Sequence, residues 1–507
     1  MRKFLMGAAA LSVLAACGGN GSSADFSTAA SVLEAMDLDG EGGRVSFDDV
    51  SRSGGSATFS GVSIADETGE TTLTADSFVI EGMTMTDGNP GFEKLTFTGL
   101  APVIDDEEGV SVSLGTLTLI QPNAETAAFV ASLFADGEPG EPPAAENWAF
   151  EKLAFEDFSL NAEIDDPDEQ GTISINLDEV SVSSLADMIA GKALLEGLTG
   201  EFDIRSDDSD IPFPLKGNFK WDKMSVDGLR GEWLNALIEA DGDPEAMANL
   251  DMSQYFDSPI EPGYDGMVME GLSLDVSGAT LDMPQSEARV ERNNDGVATR
   301  VFAPRTKFTI EASPENGGLG SMLGMGLGMM GYDGLELYGE SDARFDPETD
   351  ETRLQTYNLG MTEGFDLSMT GGFQNLMAAL SGVSGAEPDL SAFQDLTVND
   401  FAVTLKDESL LNRALNVAAL TQGADSEELR GMAVMGLAFA GPQLTGMGVD
   451  EDVANELLTA LSGFIQEPGE LSISVNPSEP LRLGDISDPS ELTKETLGFA
   501  ATHSTDG

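Results

Sequence analysis

From Arg44 onward, apolar and polar positions alternate along the chain, and within that alternation one nine-residue phrase recurs. It reads aromatic or apolar, two polar, apolar, any, apolar, any, turn former, apolar, and its copies begin at Ala75, Phe92, Phe150, Leu177, Trp221, Tyr264, Tyr332 and Phe393. In the copy Phe92 to Leu100, Leu95 and Phe97 stand two apart and share one face of a strand, with polar neighbours on the other face. The eighth place is Gly82, Gly99, Asp157, Ser184, Gly228, Gly271, Gly339 or Asp400, a turn or bulge former each time. A slip there returns the ninth, usually apolar, residue to the buried face. The Tyr332 copy departs, with Glu340 in ninth place. Copies are separated by 17 to 68 residues, which excludes a solenoid with a fixed rung.

The joins carry turn chemistry: Asp105 to Gly109, Asp165 to Asp168, Asp207 to Asp210, Asn293 to Gly296 and Asp346 to Asp350. Apolar residues at helical spacing predict a first helix at Thr28 to Met36 and short helices at Ala124 to Ala135 and Glu232 to Ala240. Beyond Gly372 the helical period dominates, at Glu408 to Gln422, Ser426 to Leu437 and Glu451 to Gln466, with acids at the starts of the last two. A strand returns at Glu470 to Val475 and a last short helix is expected within Glu491 to Phe499. The fold class is therefore α+β, mainly β: a large antiparallel sheet of many hairpins with a helical C-terminal portion. The expected division is a β-rich body over 27–372, a helical portion with returning strands over 373–486 and a tail over 487–507. Gly137 to Asn147, with three prolines, reads as a linker inside the body.

Composition narrows the chemistry. The 507 residues contain 90 Asp and Glu against 24 Lys and Arg, a net charge of −66. That field repels nucleic acid and anionic surfaces and suits a solvated acidic exterior. There is one cysteine, Cys17, and one histidine, His503, expected to be a disordered surface residue of the tail. Histidine metal clusters and histidine triads are excluded by count, and no Gly-x-Ser-x-Gly or Ser-x-x-Lys sequence occurs. Carboxylates are so abundant that no pair stands out, so no catalytic residue, cofactor or metal ligand is assigned and an enzyme is not expected. Asp37 to Gly42 begins like a calcium loop, but Arg44 replaces its usual apolar residue and Asp48 its bidentate Glu.

Two stretches could meet a ligand. Gly317 to Gly331 is built almost wholly of Gly, Met and Leu, and Gly326 to Gly331 fits a dinucleotide pattern. A strand-like segment, not a helix, follows it, which excludes that reading. It is either a glycine-rich loop against the core or an apolar lip whose Met322, Met325, Met329 and Met330 touch acyl chains. Arg289, Arg292, Arg300, Arg305 and Lys307 gather five cations in nineteen positions. They either neutralise neighbouring carboxylates or, through Arg300, Arg305 and Lys307, hold an anionic group such as a headgroup.

The N-terminus addresses the chain. Arg2 and Lys3 precede the apolar run Phe4 to Ala16, too short to span a bilayer, and then come Leu14-Ala15-Ala16-Cys17 and the flexible Gly18 to Ser23. Leu-Ala-Ala-Cys resembles the lipobox of bacterial lipoproteins, which implies a signal peptide over 1–16, lipid on Cys17 and an acylated tether over 17–26. Gly18 in place of Asp then implies passage to the outer membrane, facing the periplasm. The Leu-x-Val-x-Gly-Leu phrases, Gly115 to Pro122 and Phe59 to Ile64 resemble the strand grammar of AsmA-like proteins over about residues 43 to 407. That resemblance implies a lipid-facing β groove, although those proteins usually sit in the inner membrane by an N-terminal helix and the helical C-terminal third has no counterpart. The expectation is an envelope lipoprotein that binds or transfers a phospholipid or another amphiphile. The alternative is a non-catalytic scaffold that binds an envelope protein.

Overall fold

In the first unit the nine-residue phrase turns out to organise the sheet. The computed structural model describes residues 26–38, 44–65, 71–86, 88–103, 109–135, 140–165, 169–206, 215–231, 258–313, 318–377, 390–446, 448–486 and 492–505. Residues 1–25 with the lipobox-like Leu14 to Cys17, Gly317, the segment 232–240 and residues 39–43 of the candidate calcium loop lie outside these residues. The chain forms two units, Met1–Gly231 with Met267–Leu274, and Glu232–Gly266 with Asp275–Gly507. Antiparallel strands dominate both, so the protein is α+β and mainly β.

The first unit begins with helix α1 (Phe26–Ala35), followed by β1 (Val45–Ser46), β2 (Asp49–Ser53), β3 (Ser56–Ala65), β4 (Thr71–Glu81) and the small hairpin β5 (Thr84–Thr86) and β6 (Asn89–Gly91). Then come β7 (Lys94–Pro102), β8 (Val110–Ile120), α2 (Ala124–Ser132), β9 (Phe150–Asp165), β10 (Glu169–Ala186), β11 (Ile189–Ser206), β12 (Leu215–Arg230) and β13 (Gly266–Val276), most of which belongs here. From β2 to β12, leaving out the β5–β6 hairpin, each strand pairs antiparallel with the next. The proline-rich segment does not divide this sheet: β8 and β9 pair directly across it, Val110 with Ala162 through Ile120 with Lys152. Its described part packs back on α2, with Gly140 N donating to Ser132 Oγ and the Trp148 indole donating to Pro143 O.

Positions one, four, six and nine of the phrase form the apolar face, and two shared dislocations of the sheet make that possible. Gly61, Gly99, Asp157, Gly197 and Gly271 all have positive φ, on alternate strands. Facing them stand Asp48, Asp76, Gly115, Asp178 and Asp222, so that Thr98↔Thr116 and Leu100↔Leu114 flank Gly99 and Gly115 in register. A second row six positions away on each strand contains Gly82, Gln121, Ser184 and Gly228, again with positive φ. Because every strand contributes a residue to each row, register survives while apolar spacing lengthens from two to three. Phe97 and Leu100 are thus both buried, as are Phe59 and Val62. The acid at position two sits beside the eighth residue of a neighbouring strand. A Cβ built on Gly99 would lie 2.7 Å from Asp76 Cγ, and one on Gly271 2.6 Å from Asp222 Cγ. The same arrangement revealed two copies absent from the sequence reading, beginning at Leu114 and Ala190. Gly339 and Asp400 do not have positive φ, and beside them the sheet shifts register through bulges, between Ala303 and Thr306 and between Gly372 and Phe373.

The unit's core lies under α1 and α2. Val32, Leu33 and Met36 are fully buried against Phe59, Phe78, Ile80 and Met83. Phe78 stacks on Phe97 with centroids 4.3 Å apart and meets Phe134 at 5.2 Å.

The second unit contains β14 (Ala279–Arg292), β15 (Ala298–Ala312), α3 (Gly318–Met330), β16 (Gly334–Asp346), β17 (Glu351–Met361), β18 (Phe365–Gln374) and β19 (Thr397–Asp407). It continues with α4 (Leu410–Gln422), α5 (Ser426–Gly446), α6 (Glu451–Gln466), β20 (Glu470–Val475), β21 (Leu481–Arg482), α7 (Lys494–Leu497) and β22 (Ala500–Ser504). Strands β14 to β19 run antiparallel in order, β20 adds to β19, and β22 adds to β20. Asp450 caps α6 by accepting from Val453 N at 3.1 Å. Helix α6 then packs Val453, Ala460 and Phe464 on Leu471 and Ala501.

Two expectations are corrected here. The stretch read as a loop is helical over 318–330, and Leu327 packs with Tyr332 and Met361. Glycine is needed at 320, where a Cβ would collide with the Gly278 backbone in the β13–β14 turn. Nor is His503 in a disordered tail. It stands on β22 opposite Leu471, with Nε2 2.7 Å from Glu467 O and its ring edge-on to Phe464.

Candidate functional site: a half-covered apolar sheet face

The face formed by phrase positions one, four, six and nine runs across the first unit as cross-strand rows. One row passes Leu95, Leu119, Leu153 and Val182; the next passes Phe97, Leu117, Phe155, Val180, Leu195 and Met224. A third passes Leu100, Leu114, Phe158 and Leu177, and at its far end pairs Leu198 with Trp221. Beyond it lie Leu160–Ile175–Gly200–Phe219 and Ala162–Ile173–Phe202. The opposite face of the same strands is polar, with cross-strand pairs such as Ser113 with Ser159 Oγ at 2.7 Å and Lys152 with Glu179 at 2.8 Å. Lys152 holds Glu179 below the usual carboxylate range, chiefly by hydrogen bonding.

Coverage of the apolar face is uneven. On β4, β7 and β8 its residues are buried in the core under the helices; Phe155, Phe158, Val182 and Leu185 only border that core. On β10 to β12 the apolar residues Ile173, Ile175, Leu177, Leu195, Leu198, Phe202, Phe219 and Trp221 are half-buried, and none belongs to an apolar cluster among the described residues. The Trp221 indole nitrogen is buried without a hydrogen-bond partner. A hydrophobic surface several strands wide thus emerges from beneath the helices, with a buried, unsatisfied N–H at its far side.

The second unit repeats the pattern. Rows such as Leu359–Leu367–Leu405–Leu471 and Tyr357–Met369–Val403–Ile473 are apolar. Helix α6 covers them at the β20 end, while α3 covers Leu335, Leu337, Met361 and Phe365. Arginines cap both helices at their C-termini, where free carbonyls collect. Arg430 donates to Ile465 O and Gln466 O, and Arg413 donates to Met330 O while lying 3.9 Å over the Tyr332 ring. Beside α6 lie two adjoining clefts of about 940 and 710 Å³ that share Asn455, Thr459 and Gly463.

The five clustered cations all hold carboxylates, which favours neutralisation over an anionic-group site. Arg289 pairs with Glu287, Arg292 with Glu261 and Asp265, Arg300 with Glu291 and Asp342, Arg305 with Glu340, and Lys307 with Glu336. Arg300 grips Asp342 through two nitrogens at 2.9 and 2.7 Å and keeps its carboxyl below the ordinary range. Burial and the 2.6 Å hydrogen bond to Asp366 push Tyr338 up to about 12. Arg300, Arg305 and Lys307 are therefore parts of a cross-strand ion-pair ladder, and no headgroup role is carried forward for them.

The methionines divide. Met322, Met325 and Met329 are 63%, 64% and 48% exposed, whereas Met330 packs beside Leu327 and Tyr332. No group of carboxylates, cysteines or histidines suited to a metal occurs among the described residues, and Asp48 sits against Gly61. No described helix is long and apolar enough to cross a membrane.

Residues 358–504, which hold β18 to β22 and helices α4 to α7, match a family described only as an uncharacterized protein. No curated protein and no solved structure matches the chain.

Proposed function

We propose that this protein is an exported envelope lipoprotein, anchored through Cys17, that binds the acyl portion of a phospholipid or another amphiphile along the apolar face of β10 to β12. The observation that carries the reading is the run of half-buried apolar rows that continues from a helix-covered core onto strands no described helix covers. Such a face has a favourable partner in hydrocarbon, at roughly 25 cal/mol per Å² removed from water. The unpartnered Trp221 N–H offers a donor to an ester or headgroup oxygen. A polar outer face studded with carboxylates keeps the sheet soluble on its other side.

The test uses the chain from Gly18, exported and purified without detergent. Native mass spectrometry with lipid extraction should find an amphiphile at a defined ratio, and added brominated phosphatidylcholine should quench fluorescence that is lost in Trp221→Phe. A bare mass together with no quenching overturns the lipid reading and leaves the scaffold alternative. The anchor is tested separately: the N-terminal peptide should carry acyl mass that Cys17→Ser removes.

A further inference from the structure

Two helices of the second unit expose apolar stripes that its own core does not use. On α3, Leu319, Met322, Met325 and Met329 follow helical spacing and are 40%, 63%, 64% and 48% exposed. On α5, Met432, Met435 and Phe439 are 46%, 55% and 69% exposed. The other side of α5, with Val434, Leu437 and Gly441, lines the larger cleft against α6, so the exposed stripe is a separate face. Between these two helices lies α4, which contacts both and exposes Leu420 at 73%.

Charge is what distinguishes these stripes. In a chain with 22% charged residues, neither 318–330 nor 431–449 contains a single Asp, Glu, Lys or Arg. The nearby Arg413 and Arg430 are committed to helix C-termini. Such a surface has nothing to pair with a charged partner and nothing to repel a neutral one. Methionine adds long, unbranched side chains that conform to an irregular or fluid surface.

We infer that α3 and α5 dock the second unit on a lipid surface, with the methionines and Phe439 entering the boundary between zwitterionic headgroups and acyl chains. The choice of a bilayer over another occupant rests partly on the anchor reading above. A lipid on Cys17 would keep the whole chain at a membrane, so a bilayer is the apolar surface present at the highest local concentration. The docking surface itself does not require acylation. This contact is also distinct from the amphiphile face of the first unit, since it takes an intact bilayer and not an extracted lipid.

The experiment is flotation of the unacylated chain from Gly18 with phosphatidylcholine vesicles. It compares wild type with Met325→Gln/Met329→Gln and with Met435→Gln/Phe439→Gln. These side chains are exposed, so circular dichroism and thermal midpoints should not move, and glutamine adds no charge. Wild type should float, and each pair should lower vesicle partitioning by about tenfold, as expected for withdrawing two apolar side chains from hydrocarbon. Phosphatidylglycerol in the vesicles should weaken binding at low salt, because the full chain carries −66 and loss of Arg2 and Lys3 makes the chain from Gly18 two charges more negative. Wild type that stays with the protein fraction, or flotation that neither pair changes, overturns the inference. A concentration-dependent dimer lost in the same variants, without flotation, overturns it in favour of a second copy of the chain. Lipid that still co-purifies and quenches Trp221 in these variants separates this surface from the first unit's face.

Discussion

Replacing Gly99 with alanine probes the device on which the whole first-unit sheet depends. Gly99 has φ +66°, and an alanine Cβ there would lie 2.7 Å from Asp76 Cγ and 3.1 Å from its Cβ. The left-handed backbone alone costs an alanine about 1–2 kcal/mol, offset by about 0.4–1 kcal/mol from a stiffer unfolded chain. Moving the Asp76 carboxylate aside adds about 0.5–1.5 kcal/mol for an unfavourable rotamer. Gly54 is the natural control, since it has φ +60° in the same unit but nothing within 4 Å of a built Cβ. Gly54→Ala should therefore cost about 0.5–1 kcal/mol and Gly99→Ala about 2 kcal/mol. Urea unfolding followed by tryptophan fluorescence in a Trp233→Phe background suits the measurement, because the other two tryptophans, Trp148 and Trp221, both lie in the first unit. A cycle with Asp76→Ala should return a coupling of about 1 kcal/mol between positions 76 and 99. Equal costs at Gly54 and Gly99, with coupling below about 0.3 kcal/mol, would refute the idea that carboxylate and glycine are matched across strands.

Two further outcomes follow from the core and the ion-pair ladder. Phe78, fully buried and stacked on Phe97, should cost about 3–5 kcal/mol when cut to alanine, and a loss below about 1.5 kcal/mol in the same urea assay would contradict its central place. Arg300 lowers the Asp342 pKa from its ordinary 3.8, so this pair's contribution is complete above about pH 5 and disappears as pH falls through the folded-state value. The midpoint difference between wild type and Asp342→Asn should accordingly be largest at neutral pH, about 0.5–1 kcal/mol in size, and shrink in acid. A difference that persists unchanged to about pH 2 would rule out the pair as its source. Comparing each variant with wild type at the same pH removes the general relief of acidic self-repulsion, which both share.

Where apolar residues alternate or recur at helical spacing, the period of the chain was enough to determine the local structure. Leu95, Phe97 and Leu100 announce a strand with an irregular step after Phe97, and the step is found at Gly99. The helix Glu451–Gln466 and the strand Glu470–Val475 are likewise written in local spacing and capping residues. Local chemistry misread 318–330, because glycine suggests a loop while the helix there is held by Leu327 against Tyr332 and Met361 and by the close approach of Gly320 to Gly278. It misread His503 for the same reason: its strand exists only because β20 offers an edge and α6 a cover. Pairing between strands was the tertiary structure's to decide. It placed the position-two acids beside left-handed residues on other strands, so that glycine commonly separates one carboxylate from the next across a row. With strands about 4.8 Å apart, that spacing approaches the screening length of about 10 Å in 0.1 M salt. Arg289 holds Glu287 on its own strand, but tertiary structure gave Arg292, Arg300, Arg305 and Lys307 carboxylates from other segments, and it decided which apolar rows lie beneath helices and which emerge from them. Those are contacts between residues remote in sequence, and spacing along one strand carries no record of what packs against its face.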